Sequence, residues 1–228
     1  MKILFLIIGT GQYLSLAKNC AKSLQKFVQI PECIVETCIF TNHNEDYHHI
    51  DWMPWPLTTL LRYQYYVQYE KEIRKYNPDY IFHIDADALA VNYIGKEILG
   101  ERVALLHPGQ TSLSSYMKTF ERNPISKACI SDMMYNKYYF GHFDGGTTEE
   151  FFKMCHTLNG WIETDLKQNY IPIYHDESMK NRYYKEYPPT VELGYDFCYV
   201  DKWFKGTQLE QDKKIICLEK NHDEIRKE

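Results

Sequence analysis

The alternation of strand and helix signals over the first 84 residues constrains this chain most. Lys2–Ile8 is a continuous apolar run that stops at Gly9-Thr10-Gly11, the pattern of a buried strand feeding a loop. Leu14, Ala17, Cys20, Ala21, Leu24, Phe27 and Val28 then recur at helical spacing, with Lys and Gln between them. Cys33–Thr41 reads as a second strand closing at Asn42. Thr58–Tyr76 reads as a helix after the Pro- and Trp-containing loop Asp51–Pro56, and Asp79–Ile84 as a third strand. This order predicts an α/β fold, an open and mostly parallel sheet with flanking helices. The length of 228 residues suits a single domain.

The second half is less regular. Arg102–His107 has the look of a strand, and Pro108–Tyr135 is a long polar excursion of the kind that carries function in a compact domain. Thr147-Thr148-Glu149-Glu150 fits a capping box opening a helix to about Gln168. A further short helix is expected after His175, ending near Pro188-Pro189. The mixed charges after Asp212 have the composition of a mobile tail.

Charge and composition narrow the partners. A net charge of -5 and a mean hydropathy of -0.50 argue against nucleic acid and membrane surface. The early apolar run Ile3–Ile8 is shorter than a secretory hydrophobic region, and no segment approaches a membrane span, so a cytoplasmic protein is expected. The seven Cys contain no C-x-x-C pair and read as reduced thiols, with no structural zinc. Aromatics reach 15%, with 20 Tyr, which hints at platforms for flat or sugar-like ligands but equally at ordinary core rings.

Three constellations carry chemistry. Asp85-Ala86-Asp87 follows the strand ending at Ile84, and period-two alternation puts both carboxylates on one side at the carboxyl end of a parallel strand. Two carboxylates there can hold a hard divalent cation, which in turn binds diphosphate oxygens; a solvated turn is the structural alternative. His83 shares their parity. In His175-Asp176-Glu177-Ser178, adjacent carboxylates suggest a loop or first helical turn aimed into a cleft, or acids that merely complement a helix dipole. In the stretch from Tyr138 to Gly146, Gly145-Gly146 before a helix lets backbone approach a ligand, or marks a plain strand–turn–helix junction. Gly9-Thr10-Gly11 lacks the third glycine of a dinucleotide fingerprint. His43, His48, His49 and His156 have no partner at metal-ligand spacing.

In this order, Asp85-Ala86-Asp87, Gly95–Leu99, Leu106-His107-Pro108-Gly109, Phe120-Glu121-Arg122, the 138–146 stretch, His175–Ser178 and Lys220-Asn221-His222 with Arg226 resemble glycosyltransferase family 6. The resemblance implies a GT-A fold and retaining transfer of galactose or N-acetylgalactosamine from a UDP-sugar to an oligosaccharide acceptor in α1,3 linkage. It implies that Asp85 and Asp87 hold Mn²⁺, with Mg²⁺ as the alternative ion, against the diphosphate, and that Ala86 lies between them in the donor site. Ile8, Gly9 and Tyr13 match the stretch around uridine, and Arg62 the arginine near the donor sugar. Phe140, Gly141 and His142 match the positions that set donor specificity, and His107, His175 and Asp176 lie in sugar-contacting motifs. Glu177 matches the acid facing the anomeric carbon, and Lys220 and Arg226 the tail cations over the diphosphate.

The resemblance divides the chain into a nucleotide-binding half, 1–90, an acceptor and catalytic half, 91–212, and a tail, 213–228, over the donor. Both Asp of the motif are kept, so metal dependence is expected. His142 stands where a smaller residue is usual, and its bulk should crowd the sugar's 2-substituent, which leaves UDP-glucose open as a donor. The segments 43–57 and 110–136 are expected to shape the acceptor site. The competing readings are a haloacid-dehalogenase-type phosphohydrolase, with Asp85 as nucleophile, and a non-catalytic glycan-binding module.

Overall fold

The computed structural model describes residues 1–43 and 47–226; residues 44–46 of the 43–57 loop and 227–228 of the tail lie outside the described residues. Strand β1 (Lys2–Ile8) runs through the middle of the main sheet, and Ile3 to Ile7 are fully buried. It pairs in parallel with β2 (Ile34–Thr41), whose outer edge carries the short β3 (His48–His49). On its other side β1 pairs in parallel with β4 (Tyr80–Ile84). Alternation then sorts the side chains. Ile3, Phe5 and Ile7 face α1 (Tyr13–Phe27) through Leu14, Ala17 and Leu24, while Leu4 and Leu6 face the opposite layer. Each such fully buried side chain contributes roughly 1.5–3 kcal/mol relative to exposure. Gly9 lets α1 close on the sheet, because a Cβ there would stand 2.6 Å from that of Ala17.

The expected helix 58–76 is three short segments, α2 (Leu57–Leu60), α3 (Arg62–Gln68) and α4 (Glu70–Arg74). The backbone leaves helical geometry at Leu61 and Tyr69, where ψ is 4° and 12°. The re-aimed middle segment buries Arg62, Tyr63, Tyr65 and Tyr66 within five residues. Tertiary burial of large rings overrides the local continuity of the pattern.

The ribbon strand β5 (Ala88–Ala90) follows the Asp-x-Asp turn. Beyond it, β6 (Arg102–Leu106), β7 (Tyr139–Thr147) and β8 (Val191–Leu193) complete the main sheet in the order β3-β2-β1-β4-β7-β6-β8. β7 is antiparallel to both neighbours, making the sheet mixed while its other pairs are parallel. This explains Gly145-Gly146. A Cβ on Gly145 would lie 2.2 Å from the Ile81 carbonyl oxygen, and one on Gly146, at φ +151°, 1.9 Å from that of Glu101. The pair is set by close strand approach inside the sheet, not by a turn that opens backbone to a ligand.

β7 runs straight into α5 (Thr148–Lys167), and the expected capping box does not form. Thr147 makes no side-chain cap. Thr148 Oγ1 instead donates to the Pro78 carbonyl at 2.5 Å, and Glu150 takes Arg102 at 2.8 Å. Helix α6 (His175–Glu186) begins on His175 itself.

The excursion after β6 is irregular but anchored. Phe120, Ile130 and Tyr138 form a small core, and the buried Glu121 accepts from Tyr170 Oη at 3.0 Å and the Ile173 amide at 2.9 Å. After the short α7 (Asp201–Phe204) and α8 (Leu209–Asp212), β9 (Ile215–Cys217) pairs antiparallel with β5, and α9 (His222–Ile225) follows. The tail is therefore tied to the chain just past Asp87, whose carbonyl accepts the Leu218 amide at 2.9 Å, contrary to its charge-rich composition.

Candidate active site

Strand β4 ends on His83 and Ile84, Asp85 follows directly, and the site grows from that end. Asp85 is half-buried. Its Oδ1 lies 3.2 Å from Arg62 Nη2 and 3.3 Å from His83 Nε2, and its Oδ2 lies 3.5 Å from His142 Nδ1. Burial raises an acid's pKa, but here the Arg62 charge and the two imidazoles outweigh it and hold the Asp85 carboxyl well below the usual range. His83, held between Tyr66 Oη at 2.7 Å and the Arg62 guanidinium, is driven down to about 4 by burial and then by Arg62, so it is neutral.

Arg62 is the hub. Its Nε sits 3.3 Å from Asp176 Oδ2, and its Nη1 donates to the Gly141 carbonyl at 3.2 Å. The end of β4, the middle of β7 and the first turn of α6 are thereby joined through one planar guanidinium. Burial opposes its charge, and Asp176 and Asp85 outweigh that and raise its pKa. Asp176 is itself raised by burial against the pull of Arg62, and its Oδ2 carries no hydrogen bond.

Glu177 occupies different surroundings. Its Oε2 accepts the Gly141 amide at 2.7 Å and its Oε1 the Tyr138 hydroxyl at 2.9 Å. Gly141 permits this approach, since a Cβ there would meet Glu177 Oε2 at 3.2 Å. Burial, only partly offset by those two donors, pushes the Glu177 carboxyl up to about 7. Beneath it, the buried Lys180 Nζ donates to the Gly141 carbonyl at 2.7 Å and to Asp144 Oδ2 at 2.5 Å. Gly141 thus receives two cations at its carbonyl oxygen and gives its N–H to Glu177.

A cleft of about 270 Å³ opens over Asp85 and Asp87; Asp176 and Glu177 do not line it. Ile8, Tyr13, Arg62, Asp85, Ala86, Asp87, Lys220 and Arg226 lie on its walls, so eight of the expected residues meet there. Lys220 pairs with the Asp87 carboxylate and stands over the Tyr13 ring at 5.1 Å. Arg226 stacks on Trp55 at 4.5 Å, and the same indole meets the His175 ring edge-on at 4.9 Å. His175 holds a left-handed φ of 48°, a costly conformation for a side chain and one found at functional clamps.

Asp176, Gly141 and His142 join the cluster through Arg62 and Asp85, Glu177 through Gly141, and Phe140 through its stack on His142 at 5.6 Å. His107 stands apart behind Phe140, 4.7 Å from its ring, and burial lowers it to about 4. Gly9 lies behind the cleft wall, against α1.

Sequence reasoning gave Trp52, Met53 and Trp55 only as part of the segment 43–57, which it assigned to the acceptor, and missed Thr58 and Thr59; all five line the cleft beside Arg62. Their signal was the Trp- and Pro-bearing loop before α2. It also missed Lys180, because a lysine four residues after an Asp on a helix reads as a solvated pair.

Asp85, Asp87 and His142 each offer one ligand atom, and these three atoms lie within 4.8 Å of one another. Two carboxylates and an imidazole suit a divalent cation of the Mn²⁺ type. Among the described residues, no helix is long and apolar enough to cross a membrane.

The sequence profile described as Glycosyltransferase family 6 matches residues 52–227. The O-antigen biosynthesis glycosyltransferase WbnI of Escherichia coli is 29% identical over 171 residues, 74% of this chain and 70% of that protein. Histo-blood group ABO system transferase 2 of Rattus norvegicus is 25% identical over 172 residues, 75% of this chain and 52% of that protein. Globoside alpha-1,3-N-acetylgalactosaminyltransferase 1 of Gallus gallus is 30% identical over 151 residues, 65% of this chain and 43% of that protein. The chain thus spans about half the length of the vertebrate relatives it matches. With a mixed α/β sheet consistent with a GT-A fold and a profile covering most of its length, this chain belongs to glycosyltransferase family 6 and is a glycosyltransferase.

Proposed function

We propose that the chain transfers galactose or N-acetylgalactosamine from a UDP-sugar to an oligosaccharide acceptor, with retention and in α1,3 linkage. The observation that carries this reading is Arg62, which joins Asp85 at the strand end to Asp176 at the head of α6. On this reading the leaving group and the sugar would take adjoining places on either side of Arg62. Residues 1–90 and the tail from 213 would enclose the nucleotide, and residues 91–212 would supply the catalytic acid and the acceptor side.

Asp85 and Asp87 would hold Mn²⁺ or Mg²⁺, which when bound supplies positive charge against the departing diphosphate. Lys220 and Arg226 add fixed positive charge at the same mouth, with Ile8, Tyr13 and the Trp52–Trp55 loop as walls for the base and ribose. Asp176, whose Oδ2 pairs with Arg62 at 3.3 Å but carries no hydrogen bond, would take a sugar hydroxyl, and His107 and His175 would bound the acceptor side. Glu177 then stabilises the cation developing at the anomeric carbon, or attacks it, and must be ionised to do either. Tyr138 and the Gly141 amide, both donating to Glu177, would keep the ionised carboxylate aimed.

The test is UDP release with UDP-galactose, UDP-N-acetylgalactosamine and UDP-glucose in Mn²⁺, with and without EDTA, and NMR of the new linkage. UDP release from a galactose-type donor that stops with EDTA, and an α product, are expected. Turnover unaffected by EDTA or a β product would refute the metal-assisted or the retaining part, and no UDP release from any of the three would refute the donor assignment.

A further inference from the structure

His142 is an unusual residue to bury at 2% exposure, because each ring nitrogen then requires a partner. Nε2 faces Cys217 Sγ at 3.4 Å, the ring stacks on Phe140 at an interplanar angle of 15°, and the residue's carbonyl accepts the Asp85 amide at 3.0 Å. Backbone, ring face and far edge are all held, and the remaining edge, Nδ1, is presented to Asp85 Oδ2 at 3.5 Å. Arg62 and His83 occupy the other oxygen, Oδ1. Two donors that each sit about 2.1 Å from one ion lie roughly 3–3.5 Å apart, as His142 Nδ1 and Asp85 Oδ2 do at 3.5 Å, and with Asp87 the three ligand atoms lie within 4.8 Å of one another.

We infer that His142 Nδ1 is the third protein ligand of the cation held by Asp85 and Asp87, making the centre a two-carboxylate, one-imidazole site. The inference rests on the metal-assisted reading above. Cys217 is then the outer partner that fixes the ring, and Lys220 leaves Asp87 as the ion enters. An imidazole donor biases the site toward Mn²⁺, Co²⁺ or Zn²⁺ over Mg²⁺. A ring committed to the ion is also withdrawn from crowding the sugar's 2-substituent, so the bulk of His142 no longer argues against N-acetylgalactosamine.

The test is Mn²⁺ binding to the full chain with UDP, by calorimetry and by pulsed electron paramagnetic resonance on protein carrying ¹⁵N-histidine. A nitrogen coupling is expected in the wild type and absent in His142→Gln. Mn²⁺ affinity should fall about 10- to 100-fold in that variant, with a much smaller change for Mg²⁺. His142→Asn serves if the Gln variant does not fold, and the wild-type spectrum needs neither. Bound Mn²⁺ without nitrogen coupling, or coupling that survives the substitution, overturns the inference and leaves the metal-assisted reading intact. No bound Mn²⁺ in the wild type overturns both.

Discussion

Two carboxylates of the same site have opposite surroundings. Asp85 lies among a guanidinium and two imidazoles and is held ionised, whereas Glu177 meets only neutral donors, an amide and a phenol, and is pushed up to about 7. Both lose water, so burial does not separate them; the charge of the neighbours does. The linkage signs are opposite too. Asp85 contributes stability that is present above its unfolded pKa and lost as pH falls through its depressed folded value. Glu177 contributes stability that is present below its unfolded pKa and lost as pH rises toward about 7. An always-charged acid suits a cation and a leaving group, and one poised near neutrality suits charge that develops only as the bond breaks.

That contrast can be broken from either side. The largest effect is expected from Glu177→Gln, which keeps the Tyr138 side of the site but removes the charge. Transfer should fall by about 10²–10⁴-fold in kcat, while Mn²⁺ affinity, read by calorimetry, stays as it was. Next comes Lys180→Met. It strands the buried Asp144 carboxylate and should cost about 3–5 kcal/mol in denaturant unfolding, with most of it restored by adding Asp144→Leu.

Arg62→Lys keeps the charge but cannot reach Asp85, Asp176 and the Gly141 carbonyl at once. A loss of about 10- to 100-fold in kcat/KM is expected, equivalent to about 1.5–3 kcal/mol for a charged hydrogen bond. The smallest change is expected from Tyr138→Phe, which removes a donor that favours ionised Glu177. The acid limb of kcat/KM, centred near 7 in the wild type, should move to higher pH, and an unmoved limb would mean that another group sets it.

The parts legible in the sequence are those decided locally. The apolar run of β1 and the acids opening α6 are local patterns, and the structure has each where the pattern put it, whereas Asp85 and Asp87 lie in the turn after β4, beyond the strand alternation that was to align them. What escaped depends on partners far along the chain. The breaks at Leu61 and Tyr69 answer to burial of the tyrosine cluster, and Gly145-Gly146 to the carbonyls of Ile81 and Glu101. Lys180 finds Asp144 thirty-six residues away, and the tail is ordered by pairing with β5. Arg62 was placed by family resemblance alone, since a lone arginine in a helical stretch carries no local sign that three carboxyl- or carbonyl-bearing elements converge on it.

The division between the two acids is measured most directly by ¹³C NMR titration of the side-chain carboxyls in the free protein from pH 4 upward. The account predicts that the Glu177 resonance titrates at about 7 while Asp85 remains ionised throughout. A Glu177 that titrates near its ordinary value, or an Asp85 that takes up a proton within the same range, would contradict it.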